Sequence, residues 1–123
     1  MDISTALKNA KGSGSFSVRL SNNEGFDAVL VNTVPTADGG GILVGANGTN
    51  NVLLNHPKLA AGTHTVTFGK GDARTSINRV SYVAQSGEMD LTVDDPLTTA
   101  KGTYRFTTSD GINVEGEFDI NAV

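Results

Sequence analysis

The segment GTYRFTTSDGINVEGEFDI, residues 102–120, carries the pattern that decides the fold. Apolar and polar residues alternate on both sides of a turn sequence, which predicts two half-buried antiparallel strands. A three-residue loop at residues 109–111 sets Phe106 opposite Val114, so both strands turn their apolar side chains to one side. A two-residue loop would set Phe106 opposite Glu115. We therefore expect the three-residue loop.

Three further hairpins are predicted from the same kind of pattern. A loop at residues 23–25 sets Val18 against Leu30, with a left-handed glycine closing the loop. In YVAQSGEMDLTV, residues 82–93, a two-residue Ser-Gly turn at 86–87 would oppose only apolar residues on the inner face. The Asn-Gly pair at residues 47–48 is a strong hairpin signal, because both central residues of such a turn favour positive φ.

These strands predict an all-β fold of about nine antiparallel strands in mostly sequential hairpins, forming a sandwich or a flattened barrel. We expect one domain over residues 1–123, with short helical turns at residues 4–12 and 94–102. A strand over residues 74–85 would need a bulge near Asn78 to keep its apolar residues on one side. The predicted core consists of Phe16, Val18, Leu20, Leu30, Val66, Phe68, Val80, Tyr82, Leu91, Tyr104, Phe106, Val114, Phe118 and Ile120.

Composition narrows the class of protein. The chain has 13 acidic and 9 basic residues, a net charge of -4, and would repel the phosphate backbone of a nucleic acid. No apolar run approaches the length of a membrane helix, and the N-terminus lacks the basic and apolar blocks of a signal peptide. Abundant Gly, Thr, Ser and Asn with sparse Lys are typical of exported or cell-surface bacterial β proteins, and we expect that location.

A short pattern of Leu, Gly-Thr and an aromatic or imidazole ring recurs in LAAGTHTVTF, residues 59–68, and LTTAKGTYRF, residues 97–106. Both segments resemble the corner found in many bacterial β-sandwich modules, and residues 102–120 are similar to the closing hairpin of small exported bacterial β domains. The resemblance implies that the ring at the strand start hydrogen-bonds back to the corner backbone. Tyr104 matches that aromatic, whereas His64 replaces it in the central copy.

The ionisable residues offer little catalytic chemistry. His56 precedes a proline, and we expect it to be solvent-exposed; His64 alternates with apolar neighbours, which predicts a satisfied imidazole on the inner face. Asp38 and Asp72 lie beside glycines, where turn chemistry accounts for them. Neither histidine has a nucleophile in a recognisable motif nearby. We expect no enzyme activity, no metal and no cofactor.

A row of acids on the last strand is the most conspicuous charged feature. Glu115, Glu117 and Asp119 fall on one strand face, and the predicted register places Arg105 and Lys101 opposite the first and last of them. Cross-strand pairing on a solvated face explains this row, with a cation site as the alternative.

These observations predict a non-catalytic interaction or structural module with a protein partner. The alternative is a small-ligand or glycan binder that uses loops 35–41 and 69–74. Residues 42–54 are apolar on both strand faces, since Leu43 is expected to pair with Val52. One face needs a cover, and we expect either the N-terminal segment that carries Leu7 or a second subunit in a homodimer. The candidate ligand or interface residues are Leu43, Val52, His64, Asp38 and Asp72.

Overall fold

The computed structural model describes residues 13–94 and 99–121, which form strands, turns and loops with no helix among them. The all-β prediction is confirmed. The ten strands are β1 (Ser13–Leu20), β2 (Gly25–Asp27), β3 (Leu30–Pro35), β4 (Gly41–Asn47), β5 (Asn50–His56), β6 (Gly62–Phe68), β7 (Ala73–Ile77), β8 (Val80–Val93), β9 (Thr99–Thr108) and β10 (Asn113–Asn121).

The strands form one curled half-barrel sheet in the order β2-β1-β10-β9-β8-β7-β5-β4-β3, and β6 pairs with β8. All the strand pairs are antiparallel, and most join neighbours in the chain, as predicted. β8 has 14 residues. Its first part pairs with β7, and its second part lies between β6 and β9.

The closing hairpin has the predicted register. Phe106 pairs with Val114 and Tyr104 with Gly116, as the three-residue loop requires. Within that loop Gly111 has a φ of 83°, a left-handed conformation that glycine adopts at little cost.

The first hairpin differs from the prediction. Val18 pairs with Phe26 rather than Leu30, because the chain turns two residues earlier and Asn23 takes the left-handed conformation with a φ of 70°. Gly25 lies in β2 instead of the turn, and a Cβ there would approach the Val18 carbonyl oxygen to 2.4 Å. This register turns Phe26 into the core, where it is 7% exposed.

The prediction of a turn at residues 86–87 is wrong, because those residues lie inside β8. The chain instead turns at Asn78 and Arg79, whose φ values of 53° and 69° are those of a two-residue turn that matches the strand twist. The prediction of one strand over residues 74–85 with a bulge near Asn78 is therefore wrong, and the register shift lies instead between Ala84 and Ser86, in the pairing of β8 with β9. Arginine is an unusual residue for positive φ, so residues 78–79 carry no clear turn signal.

The third hairpin is present, but its turn lies one residue later than predicted. Asn47 pairs with Asn50, and Gly48 takes the positive φ of 63° at the first central position. Leu43 therefore pairs with Leu54 rather than Val52. The pairing moves by two residues along β5, so each side chain still points to the predicted side of the sheet.

The core lies between the two halves of the curled sheet. Most of the predicted core side chains are buried there, but Leu30 and Val80 are 43% and 52% exposed, and Tyr82 is only half-buried. Leu30 faces outward because it belongs to β3, where it pairs with Ala46 rather than with β1. Of the predicted helical turns, residues 4–12 lie outside the described residues. Of the second predicted turn, residues 95–98 also lie outside the described residues, and residues 99–102 form the start of strand β9.

Tyr104 ties three strands together. Its ring lies across from Gly116 of β10, and its hydroxyl donates a hydrogen bond of 2.7 Å to the carbonyl oxygen of Ser17 in β1. A Cβ on residue 116 would lie 1.9 Å from that oxygen, so only glycine fits. The corner role implied for Tyr104 by the family resemblance is therefore wrong, since the ring bonds to a distant strand. Burial raises the pKa of Tyr104, which keeps the hydroxyl as a donor.

We predict that Tyr104→Phe lowers the free energy of unfolding by about 1 to 2 kcal/mol, because the Ser17 carbonyl loses the donor that the buried Tyr104 supplies. Urea unfolding monitored by circular dichroism measures this change. Tyr82→Phe is the matched control: its hydroxyl donates to Glu24 near the surface, and we expect a smaller loss. Equal losses in the two variants would contradict the role given to Tyr104.

Candidate functional site

The outer face of strands β1, β10, β9 and β8 forms a concave surface that we call the polar groove. It encloses a cavity of about 570 Å³ with an adjoining one of about 380 Å³. Its side chains point away from the core because they alternate with buried residues along each strand. The polar side chains that line it are Ser17, Arg19, Ser21, Ser86, Glu88, Asp90, Thr103, Arg105, Thr107, Asn113, Glu115 and Glu117.

A row of alternating charge crosses the middle of the polar groove. Strand register places Arg19 beside Glu115, Glu115 beside Arg105, and Arg105 beside Glu88. Neighbouring strands are about 4.8 Å apart, so this row spans about 15 Å over four strands. The groove thus presents both signs of charge at fixed spacing.

Both arginines of this row form ion pairs. Arg105 contacts Glu88, which raises the pKa of its guanidinium, and Arg19 lies 2.9 Å from Asp27. Arg19 also donates to the backbone carbonyl of Val18 at 2.7 Å. Both pairs are exposed, so they orient the side chains and add little to stability.

The acidic row on β10 lies as predicted. Glu115, Glu117 and Asp119 are exposed on one face, and Arg105 and Lys101 occupy the predicted opposite positions. The ion pair of Arg105, however, is formed with Glu88 on β8 and not with Glu115. Among the described residues no group of three or more His, Cys, Asp or Glu side chains is placed to hold a metal ion.

A second concavity, which we call the end cleft, has a volume of about 460 Å³. It brings together three loops or strand ends that are distant in sequence. It is lined by Thr36, Asp38, Gly41, Ile42, Asn55, His56, Pro57, Val66, Thr67 and Asp72. Both of the loop regions proposed for ligand binding, 35–41 and 69–74, contribute to it.

His56 is buried in the wall of the end cleft, and the prediction of an exposed residue is wrong. It is 7% exposed because it ends β5 on the core side, opposite Gly41. Its Nδ1 donates to the Pro57 carbonyl oxygen at 2.7 Å, since a carbonyl can only accept. Nε2 is buried with no hydrogen-bond partner in the part of the chain that the structure describes, and a Cβ on residue 41 would lie 2.7 Å from it.

Asp38 and Asp72 shape the rim of the end cleft through turn hydrogen bonds, as predicted. The Asp38 carboxylate accepts from the Thr36 hydroxyl and from the Gly40 amide, the latter at 2.9 Å. The Asp72 carboxylate accepts from the Gly69 amide at 2.8 Å. The hydrogen bond from Thr36, followed by that from Gly40, lowers the pKa of Asp38.

The other candidate residues lie elsewhere. His64 is half-buried on β6, and its Nε2 donates to the Ala60 carbonyl oxygen at 2.7 Å, although it replaces the aromatic ring of the corner pattern. The imidazole thus has a hydrogen-bond partner, but it is less buried than predicted. Leu43 and Val52 are both 0% exposed in the core cluster, which leaves neither available as a surface contact.

The polar groove was missed from the sequence. Its elements were visible: the alternation on β9 and β10 placed Arg105 and Glu115 side by side. The contributions of Arg19 and Glu88 depend on β1 pairing with β10 and on β8 pairing with β9. The predicted hairpins gave β1 and β8 other neighbours, so these two pairs were not expected.

Comparison with known proteins gives no relative. No protein-family model matches the chain, and neither a curated protein nor a solved structure is significantly similar to it.

We predict that Asp38→Asn lowers the melting temperature at pH 7, because the amide loses the charge that its donors favour. Since the pKa of Asp38 is depressed, the stabilisation is present above the ordinary value of 3.8 and is lost as pH falls through the folded-state pKa. The difference between wild type and variant should therefore shrink below pH 3.8. Thermal unfolding from pH 7 to pH 2 measures it.

Asp110→Asn serves as the control, because it removes one exposed acid from the closing turn. A constant difference between wild type and Asp38→Asn across the pH range would contradict the carboxylate's role.

Proposed function

We propose that the protein is a non-catalytic interaction module that binds a protein partner through the polar groove. The observation that carries this proposal is the row of fixed, alternating charges across four paired strands. Arg19 and Arg105 are oriented by Asp27 and Glu88, so a partner meets charges whose side chains are already ordered. Such preorganisation reduces the entropy cost of binding.

The chemistry of the groove favours a basic partner segment. Glu88, Asp90, Glu115 and Glu117 line it against two arginines, and the chain as a whole has a net charge of -4. Hydroxyl and amide groups from Ser, Thr and Asn surround these charges and can bond to a peptide backbone. Charge complementarity would speed association with a basic segment and make it sensitive to salt.

The roles of the aromatic and imidazole groups support a non-catalytic reading. The rings of His56 and His64 each bond to a backbone carbonyl, and the Tyr104 hydroxyl does the same. These groups position strands and corners. Each of them thus has a polar atom engaged in a structural hydrogen bond.

We place the module in an exported or surface-associated bacterial protein. The support is compositional: the chain is rich in the small polar residues typical of such β proteins. The described part of the chain contains no helix with the length and apolar character that crossing a membrane requires.

We predict that a short Lys- and Arg-rich peptide binds the groove and shifts the amide signals of residues 103–107 and 113–117. Titration of the ¹⁵N-labelled protein measures these shifts. Glu115→Gln should weaken the binding about tenfold, since it removes the central carboxylate of the row. Glu24→Gln, which makes the same charge change next to Tyr82, should leave the affinity unchanged. Equal effects of the two variants, or shifts confined to other strands, would refute the groove as the site.

The end cleft supports a second candidate function, the binding of a small hydroxyl-bearing ligand such as a sugar. The specific observation is that both loops proposed for ligand binding line one cleft together with His56, whose buried Nε2 has no hydrogen-bond partner among the described residues. Nearby Asp38 and Asp72 add further acceptors at the rim. A polyol could supply donors to such a set.

We predict that a neutral monosaccharide panel, tested by the same titration, shifts the amides of Asp38, His56 and Asp72. His56→Phe keeps the volume of the ring but removes its acceptor, so it should abolish those shifts. His64→Phe is the control, because it removes an imidazole outside the cleft lining. Unchanged spectra at millimolar sugar, or binding that survives in His56→Phe, would exclude this function for the cleft.

A further inference from the structure

The face of β3, β4 and β5 that points away from the core carries four buried apolar side chains beside several asparagines. Val34, Val44, Ala46 and Leu53 are 3%, 0%, 5% and 8% exposed, and none of them belongs to the core cluster. We call these four residues the back patch. They alternate along their strands with the residues that fill the core, such as Leu43.

The back patch extends over the three strands, with asparagines between some of its members. Val44 of β4 pairs with Leu53 of β5, but its partner on β3 is Asn32, and Val34 lies diagonally from it. Leu30 and Val83, at 43% and 44% exposed, lie on the same face at its margins. The burial is therefore deepest at the centre of the patch and falls off outward.

Neighbours in the same sheet do not account for this burial. Side chains stand roughly perpendicular to a sheet, and the tip of a central valine stays open to water unless another layer packs over it at about 10 Å. Val44 is 0% exposed within a single chain, so the cover comes from the chain itself.

We propose that residues 1–12 of this chain dock on the back patch and cover it. The reach is sufficient. β1 starts at Ser13, and three residues later Phe16 packs against β4, where a Cβ on Gly45 would lie 3.0 Å from it. Twelve residues span about 18 Å as a helix and about 40 Å when extended, whereas three strands are about 10 Å across from first to third.

The composition of residues 1–12 fits this occupant. Ile3, Ala6, Leu7 and Ala10 recur at intervals of three and four, the spacing that puts apolar residues on one side of a helix. Lys8, Asn9 and Lys11 fall between them and suit the solvent side. An amphipathic segment of this kind can bury an apolar sheet face while presenting polar groups to water.

A second copy of the chain is the competing occupant. It is disfavoured because the centre of the back patch is already closed in one chain, and because Leu43, expected at such an interface, lies in the core. Only the exposed margins, Leu30 and Val83, would be left for a partner.

Methyl NOE spectroscopy on the full-length protein tests the docking directly. We expect NOEs from the Leu7 and Ile3 methyl groups to the Val44 and Leu53 methyl groups within one molecule. An equimolar mixture of labelled and unlabelled protein, recorded with isotope filtering, separates contacts within a chain from contacts between chains. Absence of these NOEs, or their appearance only between chains, overturns the proposal.

A pair of variants with equal charge change provides an independent measurement. Leu7→Glu should lower the melting temperature by about 3 °C or more, because it removes an apolar contact and buries a carboxylate. Asn9→Glu, on the opposite side of the segment, should shift it by less than about 1 °C. Equal shifts in the two variants overturn the proposal. Neither variant touches the polar groove, so peptide binding there should persist, which keeps this test separate from that of the proposed function.

Discussion

The architecture depends on one strand serving two halves of the sheet. β8 pairs with β7 through Arg74 and its neighbours, then passes the irregularity between Ala84 and Ser86 and continues between β6 and β9. A bulge bends a strand and increases its twist, so it can direct the two parts of β8 into different parts of the curl. Because of this bend, the inner faces of both halves close on one core that includes Phe16, Phe68 and Leu54.

Strands β1 and β10 approach each other closely at one point, where a glycine leaves room for the backbone and an aromatic ring spans the gap. The Ser17 carbonyl comes so near β10 that residue 116 has no space for a side chain, and Tyr104 reaches across the gap to donate to it. Phe16 and Phe118 pack around the same ring, with centroids 5.7 and 6.5 Å from that of Tyr104. The junction of the first and last strands is thus fixed by shape and by one buried hydrogen bond.

The same strand pairing creates the polar groove on the outside. Alternation sends every second side chain outward, and the register then sets Arg19, Glu115, Arg105 and Glu88 in a row. The inside of this half is thus a packed core and the outside a charged surface, built from one set of strands. The other half behaves differently, because its outer face buries apolar side chains such as Val44 and Leu53. In our proposals the two outer faces have separate roles, one for a polar partner and one for packing.

The sequence by itself determined the all-β class, the antiparallel hairpins and most of the core, because period-two alternation is a local property that each strand carries. It also determined the register of β9 and β10, where Phe106 and Val114 leave one acceptable pairing across a short loop. Only the tertiary structure decided which strands meet across the fold: β1 with β10, β5 with β7, and β6 with β8.

The turn at Asn78 was missed because arginine rarely takes the positive φ that Arg79 has in this two-residue turn. The outward position of Leu30 follows from its pairing with Ala46, a partner that the local pattern does not identify. The candidate sites share this origin. Asp38 and Asp72 were identifiable as turn residues, but the polar groove and the buried position of His56 arise from long-range register, which is set by how the whole core closes.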